Sequence, residues 1–171
     1  MKRRDVLSIC VISALGFALL PTGAVGQQKS LKEQIVGSWT YVSAETVAPD
    51  GKRTPTFGPN PSGLTIFGGD GHYVSFVIRA DVPKFAADSR TAGTAEENKA
   101  VVQGGIATFG RYSINEADHI LTLNIERSSF PNWNGTEQKR PLTITADELK
   151  YVVPAASGGG GRGEVTLKRV K

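Results

Sequence analysis

Leu64-Thr65-Ile66-Phe67-Gly68-Gly69-Asp70-Gly71-His72-Tyr73-Val74-Ser75-Phe76-Val77-Ile78 is the stretch from which the architecture can be read. Two runs of β-branched and aromatic residues flank a glycine-rich polar tetrapeptide, which is the signature of a β-hairpin. The same pattern recurs in both directions along the chain. Residues 107–114 and 120–127 flank Asn115-Glu116-Ala117-Asp118, and residues 138–145 and 149–153 flank Ala146-Asp147-Glu148. Residues 39–47 run into the turn Pro49-Asp50-Gly51, and 164–170 set Val165 and Leu167 against polar neighbours. Eight strands are therefore expected, interrupted by one helix at about 95–103. Thr94 and Glu97 have capping-box spacing at its start, and Gly104-Gly105 ends it.

Connection lengths then select the topology. If consecutive strands pair antiparallel, connections two, four and six lie at one end and the others lie opposite. The even set are the tight turns. The odd set, 49–63, 81–105, 128–137 and 154–163, are long, and the last holds Ser157-Gly158-Gly159-Gly160-Gly161. An all-β, eight-stranded up-and-down antiparallel barrel follows, with a closed floor, a looped mouth and the helix in a mouth connection. Phe57, Phe85, Phe130 and Trp133 stand in these polar loops and are expected to cover something apolar there.

The chain has 171 residues, 39% apolar and 8% aromatic, with 20 glycines, which suits one turn-rich domain. Half of the +4 formal charge comes from Lys2, Arg3 and Arg4 against Asp5, so the remainder is nearly neutral and does not resemble a nucleic-acid footprint. Those basic residues precede an apolar run over 6–20, and Ala24-Val25-Gly26 fits a signal-peptidase site. The run is shorter than the ~20 residues that span a bilayer. A cleaved export segment is expected over 1–26, with the domain over 27–171, a periplasmic or secreted location and no stable membrane association after cleavage. Arg3-Arg4-Asp5-Val6-Leu7 resembles a twin-arginine signal, with general secretion as the other route. The single cysteine, Cys10, lies inside this segment, so the mature domain has neither a disulfide nor a zinc-thiolate site to expect.

Gly37-Ser38-Trp39 at the start of the first strand, with Arg169 near the end of the last, resembles the lipocalin signature. That resemblance implies an indole closing the barrel floor and stacking against the arginine. Five blocks extend it: Val36-Gly37-Ser38-Trp39 with Val42-Ser43-Ala44-Glu45, Phe57-Gly58-Pro59-Asn60-Pro61-Ser62-Gly63, Asp70-Gly71-His72, Phe109-Gly110-Arg111-Tyr112, and Ser128-Ser129-Phe130-Pro131-Asn132-Trp133-Asn134-Gly135. Over about 31–170 the chain is similar to the bacterial and fungal lipocalin-like domain family. Members of that family often carry histidine where this chain has Leu123 and Asn124, so chemistry resting on those histidines is not implied here.

His72 and His119 each follow a floor turn and are expected to be structural. Asp81, Asp88, Glu96 and Glu97 lack calcium-loop spacing, two of them suit a helix start, and no metal or other cofactor is expected. The glycines of 158–163 lack the strand-to-helix context of a phosphate loop, and Asn134-Gly135-Thr136 reads as a turn. Tyr41, Ser43 and Glu45 alternate with Trp39 and share its face. With Trp39 inward they point inward too, and Glu45 then needs a cation such as Arg79 or Arg127 at the mouth. Phe76, Phe109, Tyr112, Phe130 and Trp133 complete the expected ligand-binding set as lining or lid. The reading is a barrel that binds a small, largely hydrophobic molecule. One alternative is an isomerase or cyclase using Glu45, Arg79 and Tyr112. Another is a filled barrel serving as an interaction module.

Overall fold

The computed structural model describes residues 29–171. The export segment expected over 1–26, with Cys10, lies outside the described residues. The elements in order are α1 (Leu31–Ile35), β1 (Gly37–Val47), β2 (Arg53–Pro55), β3 (Pro61–Phe67), β4 (His72–Arg79), α2 (Ala95–Gly104), β5 (Gly105–Asn115), β6 (Ile120–Ser128), a 3-10 turn (Pro131–Trp133), β7 (Thr136–Ile144), β8 (Glu148–Val153) and β9 (Arg162–Arg169).

Every pairing is antiparallel, each long strand meets its neighbour in sequence, and β1 meets β9, closing an eight-stranded barrel as expected. The additional short strand β2 has a simple cause. β3 leaves β1 after the Thr40↔Leu64 pair, and β2 takes up the vacated edge at Glu45, Thr46 and Val47. α2 starts at the Thr94 and Glu97 capping box, and Glu97 also accepts a hydrogen bond from the Ala86 amide at 2.8 Å, fastening the preceding loop to the helix.

Trp39 is fully buried at the floor. Its Nε1 donates to the Ile35 carbonyl at 2.7 Å, and the Arg169 guanidinium lies 4.1 Å from the centre of its ring. Arg169 also donates to the carbonyls of Ala146 at 2.7 Å and Val36 at 3.1 Å and to that of Gln34, so one side chain ties three segments beneath the barrel. The floor has a component absent from the sequence reading. α1 is too short to hold as a helix alone, but Ser30 and Glu33 form a capping box, and Glu116 in the β5–β6 turn accepts the amides of Leu31 and Lys32 at 2.8 and 2.9 Å. Its Ile35 is fully buried against the barrel.

Above this plug the lower half of the barrel is filled by Phe67, Tyr73, Tyr112, Leu121, Leu123, Leu142, Leu149 and Leu167. Leu123, at a position where the resemblance led to histidine, is one of these core residues. Two bulges bend the wall, which is how a strand re-aims its side chains and a sheet acquires curvature. β1 carries Val42 as an extra residue opposite β9, and β6 carries Glu126 as an extra residue opposite β5.

Candidate functional site

The upper half of the interior changes character from largely apolar to hydroxyl-rich. Tyr41 from β1, Thr65 from β3 and Ser75 from β4 all point inward. Ser75 Oγ lies 2.9 Å from Tyr41 Oη and 2.8 Å from Thr65 Oγ1. Thr108 on β5 and Tyr151 on β8 are buried at the same level. Across from them β7 alternates Gln138, Arg140 and Leu142 inward, the period of two that any strand imposes. This brings a guanidinium inside the barrel.

Arg140 is only 6% exposed. One of its terminal nitrogens donates to Gln138 Oε1 at 2.7 Å, and its Nε is buried without a partner. Its guanidinium carbon lies 5.1 Å from the ring centre of Tyr151 and 6.0 Å from that of Trp133. Among the described residues no carboxylate forms an ion pair with it. Burial pushes the Tyr151 hydroxyl well above the usual tyrosine pKa, with Tyr41 adding to the shift and the Arg140 charge opposing it. Burial also raises Tyr73, whose hydroxyl is enclosed without an aligned hydrogen bond, while Thr108 and the Arg140 charge oppose that rise. Both phenols are therefore neutral at physiological pH.

Tyr41, Ser75, Thr108, Arg140 and Tyr151 line a cavity of about 60 Å³ together with Phe57, Ile106, Trp133 and Val153 on its mouth side. One water needs roughly 10–15 Å³ of such space, so the cavity holds a few waters and a ring must displace part of the mouth-side lining. Phe57 is held at the rim because the Thr56 amide donates to the Ala44 carbonyl at 2.8 Å and Thr56 Oγ1 lies 3.0 Å from Thr46 Oγ1. It also lines an outer apolar groove with Phe76, Ile78, Val101, Val102, Phe130 and Pro131, so Phe57 stands between groove and cavity. Phe130 braces Trp133 edge to face with ring centres 5.8 Å apart. Three of the four loop aromatics thus gather at the mouth, while Phe85 lies beside Gly93 in the loop ahead of α2.

The residues expected from sequence divide into two groups. Tyr41, Glu45 and Trp133 line the cavity, and Phe130 stands behind Trp133. Tyr112 points inward but at the floor, where its hydroxyl donates to the Gly68 carbonyl at 2.8 Å and its ring meets Phe67 edge on at 5.0 Å. The other expectations are corrected by the wall geometry. The Val42 bulge reverses strand parity, so Ala44 turns inward and Ser43 outward. Glu45 still borders the cavity at the rim, near the mouth as expected, but its cation there is Arg53, 2.9 Å away and also bound to Glu164. Arg79 instead forms a two-pronged pair with Asp81 on the surface, and Arg127 is exposed. Phe76 and Phe109 are about half exposed on the outer wall, because Tyr73, Ser75 and Val77 on β4 and Thr108 and Tyr112 on β5 hold the inward parity. Glu45, Arg79 and Tyr112 consequently occupy a rim, an outer wall and a floor, and they do not form a common site.

Arg140, Tyr151, Thr108, Ser75 and Thr65 went unread in the sequence. The alternation Gln138, Arg140, Leu142 was a signal for the first of them, since an inward leucine carries its i−2 neighbour inward as well.

The profile of the lipocalin-like domain family matches residues 36–170. The chain belongs to the lipocalin-like domain family. It is also similar to the 4'-hydroxy-3'-methoxypropiophenone carrier protein ppsC of Aspergillus oryzae, at 30% identity over 91 residues covering 48% of this chain and 82% of that protein. Family and relative together point to small-molecule binding.

Both histidines stand at floor turns. His72 Nδ1 lies 2.9 Å from Asp70 Oδ2, and His119 adopts φ 54°, which asparagine also tolerates. His72→Gln combined with His119→Asn is expected to leave small-molecule affinity within a few-fold of wild type in equilibrium titration. A loss of orders of magnitude would place the site at the opposite end of the barrel.

Proposed function

We propose that this protein is an exported carrier that seats a small, largely hydrophobic aromatic molecule in the upper half of its barrel. The observation that carries this reading is the mixed lining of the cavity, in which hydroxyls and one buried guanidinium stand beside the apolar side chains of Phe57, Ile106, Val153 and Trp133. Such a lining buries a ring and orients it through a few polar atoms, as small-molecule sites generally do. The fungal relative is named as a carrier of an aryl ketone bearing a phenol, a compound of this size and polarity. The apolar run with its basic start and small-residue cleavage site supports export. Access is through the mouth, by displacement of Phe57 and Trp133 from loops that hold no long-strand pairing.

The chain has two tryptophans, at opposite ends of the barrel, which makes the reading testable without labels. Titrating 4'-hydroxy-3'-methoxypropiophenone is expected to change the emission of Trp133 saturably. Trp39→Phe should retain the signal and Trp133→Phe should remove it. A signal that follows Trp39 instead, or no binding by calorimetry, would overturn the assignment.

A further inference from the structure

We infer that the carried molecule is bound as an anion, an aromatic ring whose acidic phenol has lost its proton and lies against Arg140. This inference rests on the carrier reading and specifies its ligand. A buried guanidinium keeps its charge, and a buried charge without a counter-ion is costly. Arg140 has only neutral company: the Gln138 side-chain carbonyl and the faces of Tyr151 and Trp133. Its Nε is enclosed and unpartnered. The carboxylate bordering the cavity, Glu45, is held by Arg53 on the far side of the rim. The remaining polar side chains in the lining, Tyr41, Thr56, Ser75, Thr108, Tyr151 and Ser157, all carry hydroxyls. One fixed positive charge among hydroxyl donors is complementary to an oxygen that only accepts, and most strongly to one that carries negative charge.

A phenol bearing a para acyl group supplies such an oxygen. The acyl group withdraws electrons from the ring and acidifies the hydroxyl, and the ring takes the space at the mouth from which Phe57 and Trp133 are displaced. On binding, the ligand O–H bond breaks heterolytically, its electron pair stays on oxygen, and the proton passes to the buffer. The titratable groups facing the guanidinium are Tyr41, Tyr73 and Tyr151, with Glu45 at the rim. Burial keeps Tyr73 and Tyr151 protonated, so they supply no competing anion near neutral pH.

The test uses the full domain and two probes, 4'-hydroxyacetophenone and its 4'-methoxy counterpart, which cannot ionise. At a pH below the free phenol's own pKa, the bound hydroxy compound is expected to show phenolate absorption and to release a proton to buffer in calorimetry. The methoxy compound should bind roughly 10- to 100-fold more weakly, the range for a hydrogen bond to a charged group. Arg140→Gln should abolish the phenolate band and remove the preference between the probes, while Arg140→Lys should restore part of both. If the wild-type protein binds both probes equally and shows no phenolate band, the anion inference fails and the carrier reading stands. If it binds neither, both fail. Should Arg140→Gln not fold, the wild-type spectrum and the Lys variant still decide.

Discussion

Trp39→Ala lowers the free energy of unfolding by about 3–5 kcal/mol, the range for deleting a large buried aromatic side chain. Trp39 has no solvent exposure, and the floor around it cannot collapse easily. Above it are strand-borne core residues, and below it the α1 amides are held by the Glu116 carboxylate and Arg169 is anchored to backbone carbonyls. Truncation also removes the donor to the Ile35 carbonyl and the ring face under the Arg169 guanidinium. The loss therefore combines a cavity, an unpaired carbonyl and a missing cation–π contact of roughly 0.5–2 kcal/mol. Urea unfolding followed by far-ultraviolet circular dichroism checks the figure, and Trp39→Phe should recover a substantial part of it. Ligand preference should not change, because the cavity is bounded by Trp133 and Arg140 at the opposite end. An unaltered midpoint would mean that the indole does not close the barrel.

The floor was the most legible part of the sequence because its determinants are local or chemically distinctive. Turn residues at Gly68-Gly69-Asp70-Gly71 mark a hairpin wherever they fall between apolar runs, and the indole and arginine belong to a recognisable signature. The mouth aromatics were legible for a related reason, since Phe57, Phe130 and Trp133 have no place on polar loops unless they cover something. The polar interior was harder to read. Strict alternation from Trp39 leads to Ser43 and Glu45, but one extra residue at Val42 exchanges the two faces of β1 beyond it. A bulge of this kind has no composition of its own, because it is decided by the register with a strand far away in sequence. Phe76 and Phe109 show the opposite error. Residue type argues for the inside, whereas the phase of their strands puts them outside, and phase is the stronger constraint in a closed barrel. Arg140 was missed because a lone charged residue in a strand is ordinarily solvated. Only the phase of Gln138 and Leu142 would have revealed that this one is not.

The second bulge makes an equally sharp demand, and Gly110→Ala is expected to destabilise the protein by about 3 kcal/mol or more, at or beyond the upper end of ordinary overpacking. A Cβ on Gly110 would lie 2.0 Å from the Asn124 carbonyl oxygen and 2.8 Å from the Glu126 amide nitrogen. Both are backbone atoms of β6, so no side-chain rotation relieves the contact. They are that close because Glu126 is the extra residue of the β5–β6 bulge and folds β6 toward its neighbour there. Gly159 supplies the control within the same protein. Its added Cβ would meet nothing within 4 Å, so Gly159→Ala carries only the backbone cost of its φ of 76°, about 1–2 kcal/mol. Measured side by side in urea, the first substitution should cost clearly more than the second, and it should also weaken ligand binding. Thr108 lines the cavity two residues before Gly110, and any parting of β5 from β6 displaces it. If Gly110→Ala instead matches Gly159→Ala in stability, the strands can separate at the bulge without penalty, and the close approach there is not what curves this side of the barrel around the cavity.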